Sequence, residues 1–345
     1  MRRTLAVSLT IIAVLAAGWL VLRRADIPYD TLETVYSVPD TQFMTLDDGL
    51  KVHYTDTGPQ DRATLVLVHG FSASLHTWEA WKTELELDYR IITLDLPGHG
   101  LTRADGPVQA SIERFADVVH EVTQDLGVER FTLAGNSMGG NTAWSYALSY
   151  PETLDGLILV AASGWPEEEG EGDGSPFIFT LLSNPIARTI LKDLDMTSLT
   201  RSGLEGSYTD QSLVTEALVE RYVALSRAPG HRATLLSIMA GDRVAVTAEK
   251  LSAIKVPTLV MWGTDDNLVP ASGAQKYADA IEGATLVVYE GVGHLPQEEN
   301  AAQSIEDVRS FMMDVEWSAL EEEAIVPAGD PRMGENRPES PDGEN

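Results

Sequence analysis

A serine held between two glycines, a late histidine and a pair of aspartates are the residues of this chain whose types and order suit nucleophilic catalysis. Ser137 lies in Gly135-Asn136-Ser137-Met138-Gly139. In that G-x-S-x-G spacing a sharp turn from strand to helix holds the serine out of the fold, and a side chain two residues to either side would clash. A serine hydroxyl becomes an effective nucleophile when a neighbouring base takes its proton. His294, in Gly291-Val292-Gly293-His294-Leu295-Pro296, is the candidate base. Asp265 and Asp266, just beyond an apolar run ending at Trp262, are the candidates for the carboxylate that orients it and stabilises the imidazolium. The oxyanion formed on attack needs two backbone N–H donors. Met138, which follows the nucleophile, and Phe71, in His69-Gly70-Phe71, are expected to supply them.

The remaining histidines have simpler readings. His53 falls in a strand, His120 on a helix and His231 in a helical region, and all three read as structural. His69 and His99 sit in tight turns beside glycines, where packing and hydrogen bonding account for them. His76 lies near the expected mouth of the site, within reach of a substrate. The acid could instead follow the run Leu157–Ala161, but Ala162-Ser163-Gly164 offers no carboxylate before Glu167.

Residues so far apart can converge only if the chain brings each to the same edge of one sheet. Thr41 to Leu46 and Lys51 to Asp56 flank Asp47-Asp48-Gly49, a hairpin signal. Thr64 to His69 is a continuous apolar run, as expected of a parallel strand buried on both faces. Further strands are predicted at 90–95, 131–136, 157–161, 258–262 and 285–289. They alternate with helices at 75–87, 111–126, 138–150, 270–281 and 297–315. This alternation means an α/β fold with a doubly wound, mostly parallel sheet. Every candidate residue then lies beyond the carboxyl end of a strand, where such sheets bind ligands. Between 166 and 246 the alternation stops. An acidic, glycine-rich loop at 167–174 gives way to helical patterns, notably 210–227, so this stretch reads as a helical insertion between core segments 41–165 and 247–318.

Composition removes whole classes of function. With 24 Lys plus Arg against 53 Asp plus Glu, the formal charge of −29 argues against nucleic acid or an anionic membrane surface as partner of the folded body. No cysteine is present, which excludes disulfides, thiolate nucleophiles and Cys-ligated zinc or iron–sulfur centres. No metal site and no cofactor are expected. Thr4 to Leu22 is almost wholly apolar between Arg2-Arg3 and Arg23-Arg24. As a helix it would span about 28 Å, close to the ~30 Å of a bilayer core. The expectation is an uncleaved membrane anchor over 1–25 with the catalytic body outside the cytoplasm, the alternative being secretion after signal cleavage. Residues 26–40 read as a linker. Residues 319–345, acidic and rich in proline and glycine, read as a disordered tail.

Together, His69-Gly70-Phe71, Asp95-Leu96-Pro97-Gly98-His99-Gly100, Gly135 to Gly140, Trp262 to Pro270 and Gly293-His294 resemble the α/β-hydrolase superfamily, over roughly residues 40–165 and 250–315. The resemblance implies the α/β-hydrolase fold, makes the insertion at 166–246 the family's helical cap, and matches the order serine, acid, histidine. Within the W-G-x-x-D pattern it selects Asp266 as the acid. Haloalkane dehalogenases and epoxide hydrolases of this fold use aspartate where this chain has Ser137. The carbon–carbon bond hydrolases of aromatic degradation share Gly-Asn-Ser-Met-Gly-Gly but usually carry Trp after the histidine, where this chain has Leu295. Membrane-anchored bacterial lipases and esterases share the serine triad and the apolar N-terminus, and are the nearest functional model.

The expected activity is a serine hydrolase of the carboxylesterase or lipase type. Ser137 is the nucleophile of an acyl-enzyme, His294 the base and then the acid, and Asp266 the orienting carboxylate. Phe177 to Leu182 and Leu235 to Met239 carry surplus apolar side chains, and the insertion shows no obvious cationic cluster. A small-molecule ester of an uncharged, apolar acyl group is therefore the expected substrate. Carbon–carbon bond hydrolysis and cofactor-free perhydrolysis are alternatives on the same triad. A non-catalytic, hydrolase-like binding protein is the alternative from another class.

Overall fold

The computed structural model describes residues 10, 13–14, 16–106, 108–166, 184–241 and 245–325. Its centre is built from strands that are buried at every residue, β3 (Thr64–Val68), β4 (Arg90–Leu94), β5 (Phe131–Asn136) and β7 (Thr258–Gly263). The apolar residues that dominate them follow from helices covering both faces. With β1 (Gln42–Thr45), β2 (Lys51–Thr57), β6 (Leu154–Val160) and β8 (Thr285–Tyr289) they form one eight-stranded sheet in the order β1-β2-β4-β3-β5-β6-β7-β8. β2 pairs antiparallel with both β1 and β4, and the remaining pairs are parallel. The α/β-hydrolase architecture is therefore present.

Strand order reverses at β3, which lies between β4 and β5. Crevices for ligands open at such a switch point, outside the carboxyl ends of the strands. Val68 at the end of β3 is in register with Gly135 near the end of β5, so the loop at 69–71 and the turn at Ser137 leave the sheet side by side.

One face of the sheet is covered by the helices Ile112–Asp125, Met138–Ser149 and Ser272–Ala280, which contribute Phe115, Val119, Val122, Trp144 and Tyr277. The spacing of Phe115, Val118, Val119 and Val122 is one helical stripe, and the Ser111 side chain caps it by accepting from Arg114 N–H. The other face is covered by Trp78, Trp81 and Leu85 together with Val308, Phe311 and Met312 of the long helix Ala301–Ile325.

Two predicted helices are broken. The stretch 210–227 divides because Asp210 caps a short turn, Gln211–Leu213, and Thr215 caps a new helix, Glu216–Ser226. The stretch 297–315 begins as Pro296–Glu299, stops at Asn300, and resumes as Ala301–Ile325. Residues 319–325, assigned to the tail, are thus helical, and 326–345 lie outside the described residues, as do 167–183.

The membrane anchor is corrected. Among the described residues no helix is long and apolar enough to cross a membrane. Residues 16–22 are helical, but their end is tied to the insertion. The Trp19 indole donates to Ile190 O (3.1 Å), Arg24 N–H donates to Asp193 O (2.8 Å), and Arg23 bridges Leu194. Apolar length alone suggested a span, and the contacts of its last turn are made with protein. The membrane-anchored localisation drawn from that run has no support in the fold. Residues 1–9, 11, 12 and 15 lie outside the described residues.

Candidate active site

The turn at Ser137 is forced by what surrounds it. Ser137 has φ 56° and ψ −115°, one of three non-glycine residues with positive φ among those described, with Ser72 and Ala161. Such a backbone costs about 1–3 kcal/mol and persists only where neighbours impose it. Here Ser137 N–H donates to Val160 O (2.9 Å), while Ser137 O accepts from Asn141 N–H and Ser163 N–H, each at 3.0 Å. A Cβ on Gly135 would lie 2.1 Å from Gly139 O, and one on Gly139 would lie 2.2 Å from Val68 O. The two flanking glycines are thus what allows strand, helix and the end of β3 to meet. The side chain of Ser137 is left half-buried at the sheet edge.

His294 and Asp266 are brought together. His294 Nδ1 lies 2.7 Å from Asp266 Oδ2, and both residues are buried. The other carboxylate oxygen, Oδ1, accepts from Leu268 N–H (2.8 Å) and Val269 N–H (2.9 Å), so the loop after β7 fixes the acid. With an acceptor on Nδ1, the imidazole presents Nε2 as the basic nitrogen. Asp265 is exposed, and its carboxylate accepts from Thr264 Oγ1 (2.9 Å) instead. The histidine loop is also tied to the elbow, because Asn136 Nδ2, one residue before Ser137, donates to His294 O (3.2 Å).

The candidate oxyanion donors flank the serine. Met138 opens the helix Met138–Ser149, where the first amides have no intrahelical acceptor and the helix dipole favours negative charge. Phe71 follows Gly70, whose added Cβ would sit 3.2 Å from Ser137 Cβ, so the loop passes directly over the serine.

Asp95 organises that loop from below. It is fully buried, and its carboxylate pairs with His53 Nδ1 (2.6 Å) while accepting from Leu75 N–H and Leu101 N–H, each at 2.8 Å. Burial pushes the Asp95 carboxyl up, but His53 and these donors outweigh it and hold the carboxyl below the usual range. His69 donates from Nδ1 to Gly70 O (2.7 Å) and accepts from Leu96 N–H (3.0 Å). His99 pairs with Pro97 O (3.1 Å), and His231 lies within 3.0 Å of Thr102 O and the Tyr29 hydroxyl. Burial holds all three of these histidines neutral, below the usual imidazole range. His120 stacks on Tyr150 at 4.0 Å.

Sequence reasoning passed over the residues that join the insertion to this site. His294 N–H donates to Ser207 O (2.8 Å), at the end of the helix Thr197–Ser207. Glu298 accepts from Tyr208 Oη (2.8 Å) and from Thr77 Oγ1. Burial pushes its carboxyl up, against those hydroxyls and Arg221. Glu299 accepts from Gly293 N–H (2.7 Å) and Asp210 N–H (2.6 Å). Leu295 enters the insertion's apolar cluster with Leu204, Tyr208, Leu218 and Val219. A cavity of about 240 Å³ opens here, lined among others by Tyr208, Leu218, Arg221 and Glu298. The Nε–H of Arg221 is buried without a partner among the described residues. His76, against the same arginine, is pushed down to about 4 by burial and by that charge. Of the expected apolar wall, Leu235 and Leu236 are buried and Met239 is exposed, while 177–182 lie outside the described residues. No cluster of metal-ligating side chains is found among the described residues.

The sequence profile of the alpha/beta hydrolase fold matches residues 63–301. The chain belongs to the α/β-hydrolase family. This α/β-hydrolase is 30% identical over 295 residues to a 2-hydroxy-6-oxononadienedioate/2-hydroxy-6-oxononatrienedioate hydrolase of Burkholderia vietnamiensis, a match covering 82% of this chain and 99% of the relative. It is 29% identical over 264 residues to a 2-hydroxy-6-oxo-6-phenylhexa-2,4-dienoate hydrolase of Comamonas testosteroni, covering 72% and 87%. A meta-cleavage product hydrolase from Pseudomonas fluorescens IP01 superposes with a TM-score of 0.67 at 25% identity, over 79% of this chain and 97% of that one. The chain is a hydrolase by family. The expected carboxylesterase or lipase reaction is corrected by these relatives, because the substrates in their names are carbon skeletons with a 6-oxo group and no ester bond. The same names correct the uncharged substrate, since each is a carboxylate.

Proposed function

We propose that this α/β-hydrolase cleaves a carbon–carbon bond in a 2-hydroxy-6-oxo-dienoate. The observation that carries the reading is the near full-length match to hydrolases named for such substrates. Without an ester bond, hydrolysis must break the bond between C5 and the C6 ketone, and the electrons of that bond need a sink. Protonation at C5 converts the 2-enol to its 2-oxo tautomer, which supplies one. Ser137 Oγ, its proton taken by His294, then adds to C6, and the oxyanion is held by the N–H groups of Phe71 and Met138. Collapse expels C5, whose charge passes through the C3–C4 double bond onto the 2-oxo oxygen, and that oxygen takes the proton held by His294. The products are 2-hydroxypenta-2,4-dienoate and an acyl group on Ser137. Water, with His294 again as base, releases that group as a carboxylic acid. Asp266 keeps His294 in the tautomer and orientation both steps need. A substrate carboxylate needs a cation near the pocket, and Arg221, with a buried Nε–H free to donate beside a cavity bounded by Tyr208, suits that need.

Loss of the dienolate absorbance on adding purified protein to 2-hydroxy-6-oxo-6-phenylhexa-2,4-dienoate tests the reading. Stoichiometric benzoate is the expected product. Failure to cleave this compound and its 6-alkyl and dioate analogues, by protein that reacts with a phosphonate at Ser137, would overturn it.

A further inference from the structure

We propose that Glu299 is a positioning residue that makes correct seating of the cap a condition for placing His294. The inference rests on the catalytic roles given above. The imidazole of His294 is oriented by Asp266, but its backbone is placed by two different parts of the molecule. His294 O is held from the core by Asn136, and His294 N–H is held by the cap through Ser207 O. Glu299 joins the same two parts a second time. One carboxylate oxygen accepts from Gly293 N–H at 2.7 Å, immediately before the base, and the other accepts from Asp210 N–H at 2.6 Å, in the cap. Both are charge-assisted bonds from backbone amides, stronger than neutral ones.

The approach of the two segments is too close for accident. A Cβ on Gly293 would meet Ser207 O at 2.5 Å, Glu299 Oε2 at 2.9 Å and Thr209 N at 3.1 Å. The cap backbone at 207–210 therefore rests directly on the base's loop, with Glu299 as the strut between them. Glu298, next to it, reaches Tyr208 and Thr77 and does not touch the histidine loop's amides. Of the two glutamates, Glu299 is the one that joins the cap to Gly293 N–H.

The test uses the full chain and two substitutions. Glu299→Gln puts an NH2 against one of the two N–H donors. Asp210→Pro removes the donor on the cap side together with the side-chain cap on Ser212, and suits the observed φ of −79°. Asp210→Ala, which loses the side-chain cap on Ser212 but keeps the N–H, is the reference for the proline variant. The readouts are the rate constant for fluorophosphonate labelling of Ser137, kcat and KM on a dienoate, and the melting temperature. Labelling and kcat are expected to fall together by about 10- to 100-fold in both variants, the loss typical of an ångström of misplacement, with KM changed by less than about threefold. A carboxylate that merely stabilised the fold would lower the melting temperature and leave the labelling rate of the folded protein alone. Labelling of folded Glu299→Gln at the wild-type rate, or of Asp210→Pro at the Asp210→Ala rate, overturns the proposal. If Glu299→Gln does not fold, the proline comparison decides alone. Wild-type protein that labels at Ser137 but cleaves no dienoate removes the substrate reading and leaves the labelling comparison intact. Wild-type protein that does not label removes both.

Discussion

Asn136 spends one side-chain amide on two carbonyls, Val160 O and His294 O, each at 3.2 Å. The residue before Ser137 thus pins the loop of His294 to the end of β6. Asn136→Ala leaves both carbonyls short of a donor and is expected to lower stability by about 1–3 kcal/mol. Turnover should fall by about tenfold or more, since His294 O loses its tie to the turn at Ser137. Urea unfolding and dienoate turnover measure the two effects, and an unimpaired kcat contradicts the pinning.

The proposed triad acts as a unit. Ser137→Ala and His294→Ala are each expected to lower kcat by up to about 10⁶, and Asp266→Asn by about 10⁴. Asp265→Asn should stay near wild type, because that exposed carboxylate accepts from Thr264 and not from the imidazole. Steady-state kinetics on the four variants check the series. An Asp265 substitution more damaging than that of Asp266 reverses the choice between them.

Buried neutral histidines set the response to acid. His76 is pushed down to about 4, and His69, His99 and His231 are also lowered by burial. A histidine depressed in the fold contributes stability that is complete above its unfolded value near 6.5 and is lost as pH falls towards its folded one. Melting temperature should therefore decline between pH 6.5 and pH 4, and His76→Gln should make the decline shallower. Superimposable curves for the two proteins would remove His76 from the account.

Glu298 works in the opposite direction. Its carboxyl is raised by burial from a starting value of 4.5. Its contribution is therefore complete below that value and is lost as pH rises through the folded one. Glu298→Gln should melt higher than wild type at pH 7.5, with the difference shrinking below about pH 4.5. Equal melting temperatures at pH 7.5 would mean that Thr77 and Tyr208 compensate the buried charge in full.

The sheet was legible because its central strands are buried on both faces and read as mainly apolar runs, as at Thr64–Val68. The candidate site was legible because its residues leave those strands at one edge. The contacts of Glu298 and Glu299 were not, since each depends on where the insertion docks, and no local pattern in Pro296–Glu299 encodes that docking. The helix break near Thr215 was hidden for a related reason, a capping threonine being hard to tell from one inside a helical stripe. The apolar run at 4–22 misled because length says nothing of the contacts made by Trp19 and Arg24. The reaction itself was ambiguous at the triad, which serves an ester and a vinylogous ketone equally well. Only relatives named for their substrates separate the two.

Leu295, directly after the base, is packed among Leu204, Tyr208, Leu218 and Val219. The residue beside the candidate base is therefore packed by side chains of the insertion. Exchanging that part for another is not like changing the lid of a box. A grafted helix pair must bring a hollow of leucine size, a carbonyl where Ser207 now stands and an amide where Asp210 stands. The shape of the insertion and the placing of His294 are thereby coupled, and neither side of that seam is free to change alone.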